Sequence, residues 1–583
     1  MTMKKNILKG AAGLFVALTV LVIGCKDEFL EIAPTGTLAR AQLTSAKGLN
    51  AALIAAYSQV NGRGGRMSSP SNWVWGSIRG GEHNKGTDPG DFSDINPIQR
   101  YEYLPTQGVI NGAYSGWYEG VARCNNVLAL LSDADADVSE ETKTAIEAQA
   151  KFLRGHYYFE LKKNFGNTPY IDETIDYSTE VKVSEVGNDK DLYPFIEADL
   201  QFAMANLPET QGQVGRVNKT AAKALLGKVY IYQNKHAQAL TLFNEVISSG
   251  QTSNGKAVGL VPSFPDIFKA SNDNHEESIW AYQSAANTGS VNNANPEFDL
   301  NWPYNTGADG PGNCCGFFAP TFELANHYRT NASGLPLFDR AFNLPANEVV
   351  TDQDLQSSEP FTEDAGNLDP RIDFTIGRRG IPYLDWKEHP GFDWIRNQAN
   401  AGPYSPKKYV YYKTDVGSFQ DNSSWTPGYA AMNVNIIRFA DVLLMAAECE
   451  IEVGSMEKAR EYVNMVRERA ANQASWVREY DDSGFAANYV IGTYDTPWTD
   501  KTTAQKAVRM ERKLELAGEG QRFYDLVRWG IAAEDLNAYI AYESKILINA
   551  MGGASFDPKD VLLPIPQNQI DLMGDVLTQN PGY

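Results

Sequence analysis

Glu511 and Glu515 stand one helical turn apart, a spacing that brings two carboxylates near the separation used by the acid and nucleophile of a retaining glycoside hydrolase. Arg512 and Arg522 lie in the same segment. Guanidinium groups hold neighbouring carboxylates ionised, whereas a general acid needs a raised pKa inside a sugar-shaped cleft. The run 511–529 therefore suits structural ion pairing, with its acids paired wherever they are buried. The six histidines are scattered without metal-ligand spacing, and the chain holds no G-x-S-x-G elbow, P-loop, dinucleotide fingerprint or H-E-x-x-H. Asp133, Asp135, Asp137, Glu140 and Glu141 share acidity with a calcium loop but lack the glycine and terminal glutamate of an EF-hand; they read as an acidic approach to a helix N-terminus. No catalytic residue, metal or cofactor is expected.

A second kind of chemistry resides in aromatic residues set among Gly, Pro, Asn and Asp. Sugars present flat C–H faces rimmed by hydroxyls, so a saccharide site needs exposed aromatic faces beside polar side chains. Each aromatic contact contributes roughly 0.5–1.5 kcal/mol beyond area burial, so several are required. Three segments have that composition: Asn72-Trp73-Val74-Trp75 with Arg79, Glu82 and His83; Asn301-Trp302-Pro303-Tyr304-Asn305; and Asp385-Trp386 with Asp393-Trp394. The candidate ligand residues are Trp73, Trp75, Arg79, Trp302, Tyr304, Trp386 and Trp394. The competing reading packs each tryptophan onto the scaffold, because so large a residue is seldom exposed without cause. Trp117, Trp280 and Trp529 are assigned to packing outright.

Lys4, Lys5 and Lys9 precede an apolar run from Ala11 to Ile23. That run is short for a bilayer span and suits a signal-peptide core. Val22-Ile23-Gly24-Cys25 fits a lipobox. Residues 1–24 thus read as a lipoprotein signal, Cys25 as the lipidation site, 25–42 as a lipidated tether and 43–583 as one domain. The formal net charge is −21, and loss of the leader's three lysines makes it more negative. Such a surface is a poor match for nucleic acid and argues weakly against polyanionic glycans. Cys124 and Cys449 sit in helical patterns as small buried residues; Cys314 and Cys315 are adjacent in a Gly/Pro-rich loop, where a vicinal disulfide and two free thiols are both open readings.

The elements that must position these residues are mostly helical. Thr44-Ser45 caps a helix bearing Leu49, Leu53, Ala56 and Val60. Helices are expected at about 109–131 and 140–165, with a short one at 322–330. Leu226-Gly227-x-x-Tyr230 followed by Ala239-x-x-x-Phe243 has tetratricopeptide-repeat spacing. An amphipathic helix over 436–448 uses Phe439, Val442, Leu443 and Ala446 as its apolar face, and Gly454-Ser455 starts a second one, Met456 to Ala470. Between 62 and 108, and again from 251 to 434, the helical period is lost. The fold class is mainly α: a tetratricopeptide-repeat-like scaffold (43–61, 109–250 and 435–530) with long irregular, aromatic-rich insertions.

Several segments together resemble the SusD/RagB family of Bacteroidetes outer-membrane lipoproteins. They are Arg438-Phe439-Ala440-Asp441-Val442-Leu443-Leu444-Met445-Ala446-Ala447-Glu448, the N-x-V-R-x-R-A run from Asn464 to Ala470, and the E-R-x-x-E-L-x-x-E-G-x-R-x-x-D-L-x-R-W run from Glu511 to Trp529. Phe152-Leu153-Arg154-Gly155 followed by Tyr158-Phe159, Leu563-Pro564-Ile565-Pro566 and Gln579-Asn580-Pro581-Gly582-Tyr583 belong with them. Lys26-Asp27-Glu28 looks like that family's surface-export signal. The resemblance implies a non-catalytic protein at the cell-surface face of the outer membrane, lipid-anchored through Cys25. It implies binding of an oligo- or polysaccharide, which the acidic charge balance leads one to expect to be neutral, and a role as lid of a SusC-like TonB-dependent transporter. A lid for peptides or glycoprotein fragments, or a surface protein without a small ligand, are the alternatives. No ligand residue carries over from the family by motif.

Overall fold

The computed structural model describes residues 40–583 apart from 65, 176–181, 296–297, 313, 422 and 424–428. The leader, Cys25 and the tether as far as residue 39 lie outside the described residues. Helix α1 (Ala46–Tyr57) starts where the sequence puts its cap: the Ser45 hydroxyl accepts the Gly48 N–H at 3.2 Å. Then come α2 (Gly108–Ser132), α3 (Glu140–Phe165), α4 (Tyr193–Asn206), α5 (Lys219–Ile231) and α6 (His236–Ser249). Each packs on the one before it in a stack of helical pairs. The repeat spacing has its expected consequence between α5 and α6. A Cβ on Gly227 would meet the Phe243 ring at 2.6 Å, so the small residue is what lets the buried phenylalanine close the gap.

After α7 (Phe322–His327), the stack resumes with α8 (Phe439–Val453), α9 (Met456–Ala470), α10 (Lys501–Leu516), α11 (Arg522–Arg528) and α12 (Ala532–Glu543). α8 packs against α6, α9 and α10, which joins the two helical halves into one core. Two helical expectations need correction. Val434–Arg438 is a strand rather than the start of α8; it pairs antiparallel with Ser278–Tyr282. Both segments are rich in β-branched or aromatic residues, and the partner strand lies too far away in sequence for local periodicity to reveal it. α7 stops at His327 because Arg329 and Thr330 enter bridges with Leu368 and Pro336.

Among the described residues the named strands form four short two-stranded ladders in all: β1 (His83–Gly86) with β3 (Phe317–Pro320), β2 (Ser278–Tyr282) with β8 (Val434–Arg438), β4 (Ile376–Gly377) with β7 (Ser405–Pro406), and β5 (Pro382–Tyr383) with β6 (Lys387–Glu388). They fasten the irregular insertions to the helices. Beneath them lies a buried ionic network in which the carboxylates of Glu277, Asp369, Glu511, Glu515 and Glu519 face Arg371, Lys408, Arg438, Arg467 and Arg469. Arg438 is extended at the β8–α8 junction and so sends its guanidinium inward. Glu511 accepts from Arg371 at 2.6 Å and Arg467 at 2.7 Å. Glu511 and Glu515 are both fully buried and serve as ion-pair partners, as the density of charge in 511–529 implies.

Candidate functional site

The three aromatic segments have different fates. In the first, Trp73–Ile78 forms a π-helical turn whose residues are all buried. Gly76 lies against the α10–α11 turn so closely that a Cβ would stand 1.9 Å from the Gly520 oxygen; Gly520 itself has φ +72°. Trp73 meets Phe318 edge-to-face at 5.7 Å, and the Trp75 indole N–H donates to the Met67 carbonyl at 2.5 Å. Arg79 lies over the Phe523 ring at 3.8 Å and donates to Tyr103 Oη at 2.9 Å and the Asp560 carbonyl at 3.0 Å. Trp73, Trp75 and Arg79 are therefore structural, correcting their assignment as ligand contacts. The docking of residues 72–83 onto the 518–520 turn supplies the cause, and no local pattern announces it. This segment still supports the site from below, since His83 stacks on Phe318 at 3.8 Å and β1 holds β3, the strand that follows the second aromatic loop.

The second and third segments meet. Tyr304 N–H donates to the Trp394 carbonyl at 2.8 Å, and Trp302 and Trp386 both pack edge-to-face with one ring, Tyr411, at centroid distances of 5.2 and 5.8 Å. Trp302 is fully buried and Trp394 nearly so, so these two are also corrected from ligand contacts to wedges. Trp394 packs edge-on to Tyr383 and to His389. Tyr304 remains half-exposed, with Arg396 5.5 Å over its ring. Cys314 and Cys315, in the same loop, pair as a vicinal disulfide, while Cys124 and Cys449 are free and buried.

Trp386 is the sequence-predicted residue that reaches a cavity. The β5–β6 turn carries it, and its indole N–H donates to the Tyr411 carbonyl at 3.1 Å, which fixes the ring half-buried at the surface. It lines an open groove of about 810 Å³ together with Phe361, Arg379, Asp393 and Tyr480. Arg379 lies 5.2 Å over the Phe361 ring and is tethered to the Ser357 carbonyl at 2.8 Å. The carboxylates of Glu363, Glu388 and Asp393, also at the groove, accept no hydrogen bond among the described residues. They are ready acceptors for hydroxyl donors. Phe361, Arg379 and Tyr480 were not anticipated. Phe361 is a lone aromatic in a Ser/Pro/acid-rich stretch, and Tyr480 lies in the α9–α10 insert, more than 90 residues beyond the loop it meets. The Tyr480 hydroxyl donates to the Leu384 carbonyl at 3.2 Å.

His389 shapes the groove from inside. Its Nδ1 accepts the Gly391 N–H at 3.0 Å and its Nε2 is paired with Ser405 Oγ at 2.9 Å, an arrangement for a neutral ring. Burial, reinforced by Lys407, pushes its pKa down to about 3. A lowered folded-state pKa gives a contribution that is full above the unfolded value of about 6.5 and is lost as the pH falls below it toward 3. Between pH 7 and pH 5 the stability gap between wild type and His389→Gln should therefore narrow by about 2 kcal/mol, read from denaturant titrations at the two pH values. A constant gap would show that His389 takes up its proton in the fold.

Residues 276–583, more than half of the chain, match the family model described as the SusD family, and residues 85–231 match one described as starch-binding associating with outer membrane. The chain belongs to the SusD family. It is 29% identical to SusD-like protein P25 of Formosa agariphila over 81% of this chain and 80% of that protein. It is 26% identical to SusD-like protein P2 of the same organism over 98% and 99%. Among solved structures, a laminarin-binding SusD-like protein superimposes with a TM-score of 0.63 at 25% identity, covering 92% of this chain and 99% of its own. Surface glycan-binding protein A from Bacteroides thetaiotaomicron in complex with laminarihexaose gives 0.62 at 23% identity over 92% and 99%, a likeness of fold.

Proposed function

We propose that this protein is a surface glycan-binding lipoprotein that hands an oligo- or polysaccharide to a SusC-like TonB-dependent transporter and closes over it as a lid. The observation that carries the reading is the groove beside Trp386. Three aromatic side chains, Phe361, Trp386 and Tyr480, stand among unengaged carboxylates and a guanidinium, the combination that a sugar's C–H faces and hydroxyls require. The acids Glu363, Asp385, Glu388 and Asp393 outnumber Arg379 and Lys387 there, so the groove favours a neutral glycan over a polyanionic one. The laminarin-binding relative and the outer-membrane description of residues 85–231 support the same direction.

The role is binding without turnover. Glu511 and Glu515, the acids closest to hydrolase spacing, are buried in ion pairs away from the groove. Attachment is through lipid on Cys25, a reading supported by the lipobox Val22-Ile23-Gly24-Cys25. A Cys25→Ala chain should leave the membrane fraction; equal retention there would refute the anchor. Affinity electrophoresis of the mature protein against neutral and acidic polysaccharides tests the ligand class, with retardation by a neutral glycan expected. Retardation by none would turn the reading toward peptide cargo.

A further inference from the structure

A second cavity, of about 320 Å³, lies between α10, the α11–α12 corner and the 338–342 turn. It shares no lining residue with the Trp386 groove. Lys513, from the last turn of α10, is only 3% exposed, lines this cavity and forms no hydrogen bond or ion pair among the described residues. Arg509, one turn earlier and half-buried, lies over the Trp529 ring at 5.0 Å and likewise has no carboxylate partner there. Arg522 gives one NH₂ group to Asp535 at 3.1 Å, while its buried Nε–H has no acceptor.

The acids nearby are mostly occupied. Asp535 is shared by Arg522 and Arg340, and Asp339 is held by Lys506; Glu534 is exposed at the rim. Five cations and three acids line the cavity, and Glu323, paired with Arg340, stands behind them as a fourth acid. A buried ammonium with no carboxylate in contact is costly. Burial and Arg522 press Lys513 toward its neutral form against the pull of Glu323, Asp535 and Glu82, and an anion in the cavity would add to that pull. Among the described residues no carboxylate stands in contact with Lys513, and a ligand that brings its own negative charge would fill that place.

We propose that this cavity binds an oxyanion, a carboxylate or sulfate group, with Lys513 and Arg509 as its charge partners and Trp529 as its wall. The chemistry fits an inorganic oxyanion or the acidic group of a charged saccharide. Isothermal titration of the mature protein with sodium sulfate and with sodium glucuronate, at ionic strength fixed by chloride, separates these two sources. Wild type should bind sulfate, glucuronate or both at one site. Lys513→Met should weaken that binding about tenfold, as loss of a charged hydrogen bond does, and the more exposed Arg509→Gln should weaken it as well. Retention by a neutral glycan should be unchanged in both variants, since neither residue lines the groove. Binding of sulfate alone assigns the site to a small inorganic oxyanion, and binding of glucuronate assigns it to an acidic sugar. No binding of either anion to wild type, or equal binding to both variants, would overturn the proposal.

Discussion

Glu515→Leu should destabilise the protein by about 3–5 kcal/mol, the range for breaking a buried ion pair by removing one partner. Glu515 is fully buried and accepts from Arg371 at 2.9 Å, from Arg438 at 2.6 Å and from Arg469. Its removal leaves three guanidinium groups in the core short of a counter-charge. Of the three, Arg371 keeps Asp369 and Glu511, Arg438 keeps Glu277 and Glu519, and Arg469 keeps only Glu277. Arg469 is therefore the residue most exposed to the loss. The arginines hold the Glu515 carboxyl well below the usual range against the opposing effect of burial, so its contribution is full above about pH 4.5 and is lost as the pH falls through the acid range. Guanidinium unfolding at pH 7 is the measurement; a change below about 1 kcal/mol, the level of a surface pair, would show that the network is not a determinant of stability.

Trp302→Ala should cost about 3–5 kcal/mol, the range for deleting a large buried aromatic. The ring is fully buried, meets Tyr411 and presses on Gly312, where an added Cβ would stand 2.4 Å from the indole. Little room exists for neighbours to collapse into the space. Trp386→Ala, on the same loop cluster but half-exposed, should cost far less stability, and thermal melts of the pair would separate a wedge from a surface platform. Similar losses in both would place Trp386 in the packing and remove the groove's central aromatic.

Much of the scaffold was readable because helical signals are local. Ser45, Ser139 and Ser455 cap their helices through their own hydroxyls, and the boundaries of Glu140–Phe165 and Met456–Ala470 follow from caps and periodicity. The 436–438 strand is not legible from local periodicity because its pairing partner, β2, lies more than 150 residues earlier. The site was only partly readable for a related reason. Composition finds loops rich in tryptophan, but whether an indole faces solvent depends on what docks upon it. Gly520 against Gly76 buries Trp73 and Trp75, and Tyr411 beneath both loops buries Trp302 while leaving Trp386 at the surface. Tyr480 joins the groove from an insert between two scaffold helices, which no aromatic count within the loop regions would include.

The most direct test is isothermal titration of a neutral oligosaccharide, chosen by affinity electrophoresis, into wild type, Trp386→Ala and Trp386→Phe, each confirmed folded by its melting curve. Loss of one stacked indole with its contact area should weaken binding at least about tenfold in Trp386→Ala, with partial recovery in Trp386→Phe. Undiminished affinity in Trp386→Ala would place the glycan elsewhere on the molecule and contradict the assignment of the groove.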